Sequence, residues 1–335
     1  MIGKMAKVMP IYKHGKRTEL SNYRPISIIS IVAKTFGRIV HDQFYSYLKN
    51  NELLSEYQSG FRPIYSTVTA LLETTNNWCV NIDKGLLNGV IFIDLKRAFD
   101  TIDHAILLRK LEHYGVDDGA WHWFRSYLSD RKQKCYVNGH LSSTLTINCG
   151  VPQGSILGPL LFLIYINDLP NCLNVGSPRM YADDTNISFK SKNLVELQDC
   201  INTELKSLNT RLEVNKLSLN IAKTKFMVIG SRQRLATHGN LDLNVFVDNK
   251  RIKRVFSSES LGLTIDQNLN WSEHNDNISK KVSSGIGALK RMRSFIDKET
   301  AITVYQGLIE PYLIHYASVW DGTGSELCEK LQKLQ

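Results

Sequence analysis

Two neighbouring acids could do chemistry here. Asp183 and Asp184 are adjacent in Tyr181-Ala182-Asp183-Asp184, between Met180 and the alternating stretch Thr185-Asn186-Ile187-Ser188-Phe189. Like charges this close raise one another's pKa and repel unless a cation lies between them. In an extended segment neighbouring side chains face opposite ways, so one carboxylate can face a metal while the other supports it. For an isolated Asp pair the ordinary reading is a solvated turn. A third acid overturns it. Gly89-Val90-Ile91-Phe92-Ile93 is an apolar run of the kind that forms a strand buried on both faces, and it ends in Asp94. A buried carboxylate needs a partner or a metal. Asp94 with Asp183 would make an oxygen-only site suited to a hard divalent cation such as Mg2+. Two such ions can clamp the attacking and leaving oxygens of an in-line phosphoryl transfer.

Three segments in order, Phe92-Ile93-Asp94-Leu95-Lys96-Arg97-Ala98-Phe99-Asp100, Gly150-Val151-Pro152-Gln153-Gly154-Ser155 and Tyr181-Ala182-Asp183-Asp184, resemble motifs A, B and C of reverse transcriptases. The resemblance is to the enzymes of non-LTR retrotransposons (LINE-type, jockey/CR1-like). Asn22-Tyr23-Arg24-Pro25-Ile26-Ser27 and Gln58-Ser59-Gly60-Phe61-Arg62 are similar to that family's two N-terminal fingers motifs. Residues 217–227 and 261–266 resemble its motifs D and E. The match runs over nearly the whole chain, and the ordered set is far more specific than the short Tyr-Ala-Asp-Asp alone.

The resemblance implies an α+β fold of the right-hand polymerase type, with fingers, a palm whose antiparallel sheet packs on helices, and a helical thumb. Residues 1–265 would be fingers and palm, with the fingers truncated at the N-terminus. Residues 266–335 would be a partial thumb, and Cys328–Gln335 would stop in mid-helix. The implied activity is RNA-directed DNA polymerisation, a nucleotidyl transfer on two Mg2+ ions for which Mn2+ can substitute. RNA template, DNA primer and dNTPs are the implied partners, with no small-molecule cofactor and no membrane. An inactive remnant that binds nucleic acid without copying it is the alternative. An RNA-templated RNA polymerase would share the palm, but Phe99 argues against it.

Site roles follow from the same resemblance. Asp94, Asp183 and Asp184 would be catalytic and, with the Leu95 carbonyl, would hold the ions. Phe99, five positions after Asp94, matches the steric gate that excludes a ribose 2′-hydroxyl; plain packing competes. Gln153 would face the nucleotide–template pair, against a helix-start loop with no ligand. Arg62 has the planar fork to clamp a triphosphate, or it is structural. Lys223 is the better match to the motif D lysine that protonates the leaving pyrophosphate. Lys225 is its rival, and a solvated lysine is the default for either.

Composition sets the limits. A chain of 335 residues can bury a large core and divide into more than one lobe. Its 43% hydrophobic and 22% charged residues are those of a globular protein, and the net charge of +9 suits a polyanionic partner. Six scattered cysteines without a CxxC pair argue against a zinc site or a disulfide framework and fit a reducing, intracellular compartment. No secretory signal opens the chain, and nuclear residence follows from the family alone. The longest apolar run, Ile156 to Ile166, falls short of the roughly 20 residues that a membrane span needs and reads as a buried helix.

Periodicity predicts the supporting elements. Helical spacing of Ile31, Phe36, Ile39, Val40, Phe44, Tyr47 and Leu48 predicts a core-packed helix, and residues 67–78 and 103–114 two more. Trp121-His122-Trp123-Phe124 reads as packing, and Asn138-Gly139 as the turn of a hairpin. The helix after Ser155 should run to Pro170. Leu194, Leu197, Ile201, Leu205, Leu208 and Leu212 mark an amphipathic helix lying on a sheet. From about residue 275 helices follow, carrying Lys280, Lys281, Lys290, Arg291 and Arg293, which in a thumb would track duplex phosphates. Residues 305–320 form a second helical stretch.

Overall fold

A computed structural model of the chain describes residues 4–237 and 243–320, together with Glu329 and Gln332. The stretch Cys328–Gln335, expected to stop in mid-helix, lies outside the described residues apart from those last two. In chain order come β1 (Met5–Tyr12), β2 (Tyr23–Ile28), α1 (Ile31–Asn50), α2 (Thr67–Asp83), β3 (Leu87–Ile93), α3 (His104–His113) and α4 (Asp118–Leu128). Then follow β4 (Arg131–Val137), β5 (His140–Leu141), β6 (Leu145–Ile147), α5 (Leu157–Ile166), β7 (Ser177–Tyr181), β8 (Asp184–Ser191) and α6 (Leu194–Val214). The remainder is β9 (Lys225–Ile229), α7 (Arg232–Thr237), β10 (Phe246–Val247), β11 (Lys250–Arg251), β12 (Lys253–Arg254), β13 (Ser257–Ser260), β14 (Leu263–Asp266), α8 (Ser272–Met292), α9 (Lys298–Leu308), α10 (Glu310–Ile314) and α11 (Ala317–Trp320). Two compact units result: Met1–Pro63, Ile93–Thr185 and Thr203–Lys223 form the first, and Ile64–Phe92, Asn186–Asn202 and Thr224–Gln335 the second. Among the described residues no helix is long and apolar enough to cross a membrane.

In the first unit β1 pairs antiparallel with β2 and parallel with β4. Asn138 and Gly139 both take positive φ, the signature of a two-residue hairpin turn, and lead from β4 into β5. The central helix is α5, in which every residue except Pro159 is buried. A helix apolar all round has no face to offer water and must lie in a core. It ends at Ile166 rather than at Pro170. The proline instead sits in the first turn of a separate 3-10 helix, Leu169–Cys172, where its missing N–H costs nothing. In α3, the Asp103 carboxylate caps the N-terminus by accepting from the Ala105 and Ile106 N–H groups at 2.9 and 3.0 Å. Helix α1 corrects its reading. Only Gly37, Phe44 and Leu48 are buried, while Ile31 and Phe36 are 82% and 51% exposed. Phe124 of α4 packs on Phe44 with ring centroids 5.1 Å apart, so that aromatic cluster is packing, as read.

In the second unit the strands run β12–β9–β3–β8. β3 is buried along nearly its whole length and pairs antiparallel with β9, Val90 opposite Met227. All six apolar positions of α6 are buried, Leu194, Leu197 and Ile201 in this unit and Leu205, Leu208 and Leu212 in the first. A Cβ on Gly89 would stand 2.8 Å from Ile201 and 3.1 Å from Leu197, so the bare backbone there lets α6 lie close on β3. Leu71 and Trp78 of α2 join Val90, Met227, Leu263, Ile265, Ile278 and Val282 in one core. Lys280, Lys281, Lys290, Arg291 and Arg293 are exposed. The expected helix over 305–320 is broken into α9, α10 and α11, because Pro311 opens α10 and Tyr316 takes a φ of 58°.

Candidate active site

Asp94 follows directly on β3, where the buried strand delivers it half-buried rather than lost in the core. Its position is fixed from the segment after α6. The Asn220 side-chain amide donates to Asp94 Oδ2 at 2.7 Å, and the Asn220 backbone N–H donates to the Asp94 carbonyl at 2.8 Å. With Lys96 N–H donating to Ser218 O at 2.9 Å, these bonds bracket an antiparallel bridge between Leu95 and Leu219. In such a bridge the central pair makes no bond across, so the Leu95 carbonyl is not consumed by it.

The acidic pair sits at a hairpin tip. β7 ends at Tyr181, Ala182 and Asp183 turn, and Asp184 opens β8. Ala182 takes a φ of 59°, the left-handed region in which a side chain is strained. Burial in particular, then the charge of Asp94, holds the Asp183 carboxyl above its ordinary range, while Lys13 and Arg24 pull it back down. Asp184 is pushed up to about 6, first by burial and then by Asp183 and Asp94. The two residues keep exposed surface although their carboxyl groups lie among protein atoms. Water therefore screens part of the repulsion. The three carboxyl groups lie within electrostatic reach of one another.

Among the described residues no group of three or more His, Cys, Asp or Glu is gathered closely enough to hold a metal ion. The donors nevertheless have the right chemistry. They are oxygens only, and Asp183 and Asp184 are held above the ordinary carboxylate range first by burial and then by neighbouring acids, a conflict that a hard divalent cation relieves.

The remaining expected residues have clear surroundings. Phe99 is half-buried, stacked on Phe162 at 4.2 Å and edge-on to Phe61 at 6.2 Å. The Gln153 side-chain amide donates to Asp100 Oδ1 at 2.8 Å, and the Gln153 backbone carbonyl accepts from Ser27 N–H at 2.8 Å. Arg62 Nη1 donates to the carbonyls of Ser55 and Gln58 at 2.7 and 3.0 Å, which suits the bracing role that the sequence left open. Lys223 is exposed in a turn that begins at Asn220, whereas Lys225 lies within β9 between paired strands.

Two partners escaped the sequence reading. Asn220 lies inside the stretch resembling motif D, where attention went to the lysines. Gln58, 1% exposed, accepts from Ala182 N–H at 2.9 Å and donates to Ala182 O at 3.2 Å. A single polar residue carries no local pattern; only its neighbourhood of motif could have drawn the eye.

The profile of the reverse transcriptases (RNA-dependent DNA polymerases) matches residues 11–269. The chain belongs to this family. Reverse transcriptases work with divalent metal ions, in keeping with the donor set. The chain is 26% identical over 352 residues to the probable RNA-directed DNA polymerase from transposon BS of Drosophila melanogaster, covering 99% of this chain and 37% of that protein. To the RNA-directed DNA polymerase from mobile element jockey of the same organism it is 24% identical, again over 99% of this chain and 37% of the other. It thus spans about 37% of the length of these curated relatives. The non-LTR lineage implied by the motifs is borne out by them. An apo telomerase from Candida tropicalis has the same fold, with a TM-score of 0.53 and 11% identity over 99% of this chain and 62% of that one. Telomerase from Candida albicans, solved with a fragment of telomeric RNA, gives 0.51 and 10% over 99% and 62%. The α+β, right-hand polymerase fold class is thereby confirmed.

Proposed function

We propose that this chain is the RNA-directed DNA polymerase of a non-LTR retroelement, copying RNA into DNA. The observation that supports the reading is that the charge of Asp94, at the end of a distant strand, reaches both Asp183 and Asp184 at the hairpin tip. Asp94, Asp183, Asp184 and the Leu95 carbonyl would hold two Mg2+ ions. When bound, these ions supply activation of the primer 3′-hydroxyl and neutralisation of the departing pyrophosphate.

The chain's own groups prepare that reaction. Asn220 holds one oxygen of Asp94 and thereby orients the carboxyl group. Lys13 and Arg24, near enough to lower the Asp183 pKa, are placed to receive the triphosphate of an incoming dNTP. They suit that task better than Arg62, whose Nη1 is spent on its own loop. Phe99 would bar a 2′-hydroxyl, with a ring propped by Phe61 and Phe162. Gln153, its amide oriented by Asp100, would face the nascent pair. Lys223 would give a proton to the leaving pyrophosphate. Residues 1–265 would act as fingers and palm and 266–335 as part of the thumb, whose exposed cations would follow the template–primer duplex.

The test is primer extension on an RNA template with dNTPs or rNTPs, with and without Mg2+. Extension with dNTPs that needs the ion and is lost in Asp94→Ala and Asp183→Ala supports the reading. Binding of the template–primer without extension would identify an inactive remnant, and a preference for rNTPs an RNA polymerase.

A further inference from the structure

The hairpin tip that carries Asp183 has an anchor outside its own strands. Tyr57–Ser59 runs alongside β7: Gln58 forms a parallel bridge with Met180, Ser59 N–H donates to Met180 O at 2.8 Å, and Met180 N–H donates to Tyr57 O at 2.8 Å. This short ladder stops at Met180, two residues before the strained turn. The Gln58 side chain then continues it. Its Oε1 accepts from Ala182 N–H at 2.9 Å and from Gly60 N–H at 2.7 Å, while its Nε2 donates to Ala182 O at 3.2 Å. Both main-chain polar groups of Ala182 are thus held by one buried carboxamide.

Gly60 acts at the same peptide. A Cβ there would lie 2.1 Å from Ala182 N, 2.8 Å from Tyr181 C and 2.9 Å from Ala182 Cα. All three are backbone atoms, so no flexible side chain could yield, and the turn itself would have to move. The loop carrying Gln58 and Gly60 is in turn held by Arg62, through the carbonyls of Ser55 and Gln58, and by Asn167, which accepts from Ser55 N–H at 2.8 Å. Ala182 is the residue immediately before Asp183, in a conformation that alanine does not choose by itself. The contacts of Gln58 and Gly60 with it both come from this loop.

We propose that Gln58 is a positioning residue for the proposed cation site: its carboxamide, with the bare backbone of Gly60 beside it, sets the Ala182 peptide and so fixes how Asp183 and Asp184 are presented to a divalent ion. The proposal rests on the metal-dependent reading above. A role in stability alone would leave cation affinity untouched, whereas a positioning role requires that it change.

The experiment uses the 335-residue chain and Tb3+ luminescence as a readout of cation binding, alongside thermal unfolding without metal and steady-state primer extension. Gln58→Met removes all three side-chain bonds at nearly constant length, Gln58→Glu keeps the two accepting bonds and loses the donated one, and Gly60→Ala pushes on the turn directly. Phe124→Leu, in the core far from this loop in sequence, is a control for lost stability. Weakening of Tb3+ binding by about fivefold or more in the Gln58 and Gly60 variants is expected, with kcat reduced about tenfold and KM for dNTP within about twofold. The Gln58→Met, Gly60→Ala double variant should be little worse than the worse single one, because both act on one peptide. Phe124→Leu should lower the melting temperature and leave Tb3+ affinity as it was. Unchanged Tb3+ affinity in folded Gln58 and Gly60 variants would overturn the role of Gln58 while leaving the polymerase reading intact. Failure of the unaltered chain to bind Tb3+ would overturn both.

Discussion

Asn220 donates from its side chain to Asp94 Oδ2 at 2.7 Å and from its backbone to the Asp94 carbonyl at 2.8 Å, across 126 residues of sequence. One residue thus sets both the strand end and the rotamer of the acid that ends it. Replacing Asn220 by Ala leaves the backbone bond and removes the side-chain one. Loss of about 1 to 2 kcal/mol of stability is expected, with kcat lowered roughly tenfold because the carboxylate is no longer oriented. Denaturant unfolding and primer extension, measured on the same preparation, check the two parts separately. An unaltered kcat would show that Asp94 needs no such support.

Removing a proposed metal ligand should be far more severe. Asp94→Ala or Asp183→Ala is expected to lower extension by roughly 10³-fold or more, as is chelation of divalent ions by EDTA. Asp183→Ala deletes no buried apolar group, so its melting temperature without metal should hold or rise as like-charge repulsion is relieved, whereas Asp94→Ala also loses the Asn220 bond and should cost about as much stability as Asn220→Ala. Calorimetric unfolding of each variant, with and without Mg2+, supplies the check.

The half-buried Phe99 ring, stacked on Phe162 at 4.2 Å, has little freedom to swing away. Phe99→Val should therefore open space that Phe99 itself cannot vacate, raising rNTP use relative to dNTP by roughly tenfold or more. Competitive incorporation with mixed nucleotides on an RNA template measures it. Sugar selection that stays the same would sink the gate.

A pH dependence resides in the second unit, at a residue that is not among the proposed ligands. His274 is 6% exposed, and burial first, then Lys281 and His315, depresses its pKa from 6.5 to about 4. Its Nδ1 accepts from Thr264 N–H at 3.3 Å. The unfolded chain takes up a proton near pH 6.5 that the folded chain refuses until about pH 4. This contribution to stability is therefore full above 6.5 and is lost as pH falls toward 4, by at most roughly 3 kcal/mol. His274→Gln should flatten the fall in melting temperature between pH 7 and 4.5, which a thermal scan series would reveal.

How much of this was legible depends on the range over which the physics acts. The strand ending in Asp94 and the all-apolar α5 announce themselves, because solvent exclusion writes a pattern into consecutive residues. The same holds for the six inward positions of α6. What periodicity cannot say is whether a face is covered. The spacing in α1 was right, yet Ile31 stays 82% exposed and Phe36 is covered on one side only, by Trp123. The break at Tyr316, whose hydroxyl reaches Leu261 O, depends on a tertiary contact that no local window contains. In the site, the acids were visible through their motif, while Gln58 and Asn220 were not. Each is a lone amide whose partner lies 124 or 126 residues away.

Each unit is stitched from three separate stretches of chain, which constrains biosynthesis. During translation from the N-terminus the first unit has all its parts only after Lys223 has left the ribosome, so its early strands must wait without their later neighbours. Slow, chaperone-sensitive maturation follows from this interleaving. For the same reason the second unit cannot be released by a single proteolytic cut, because its three stretches are separated by segments of the first.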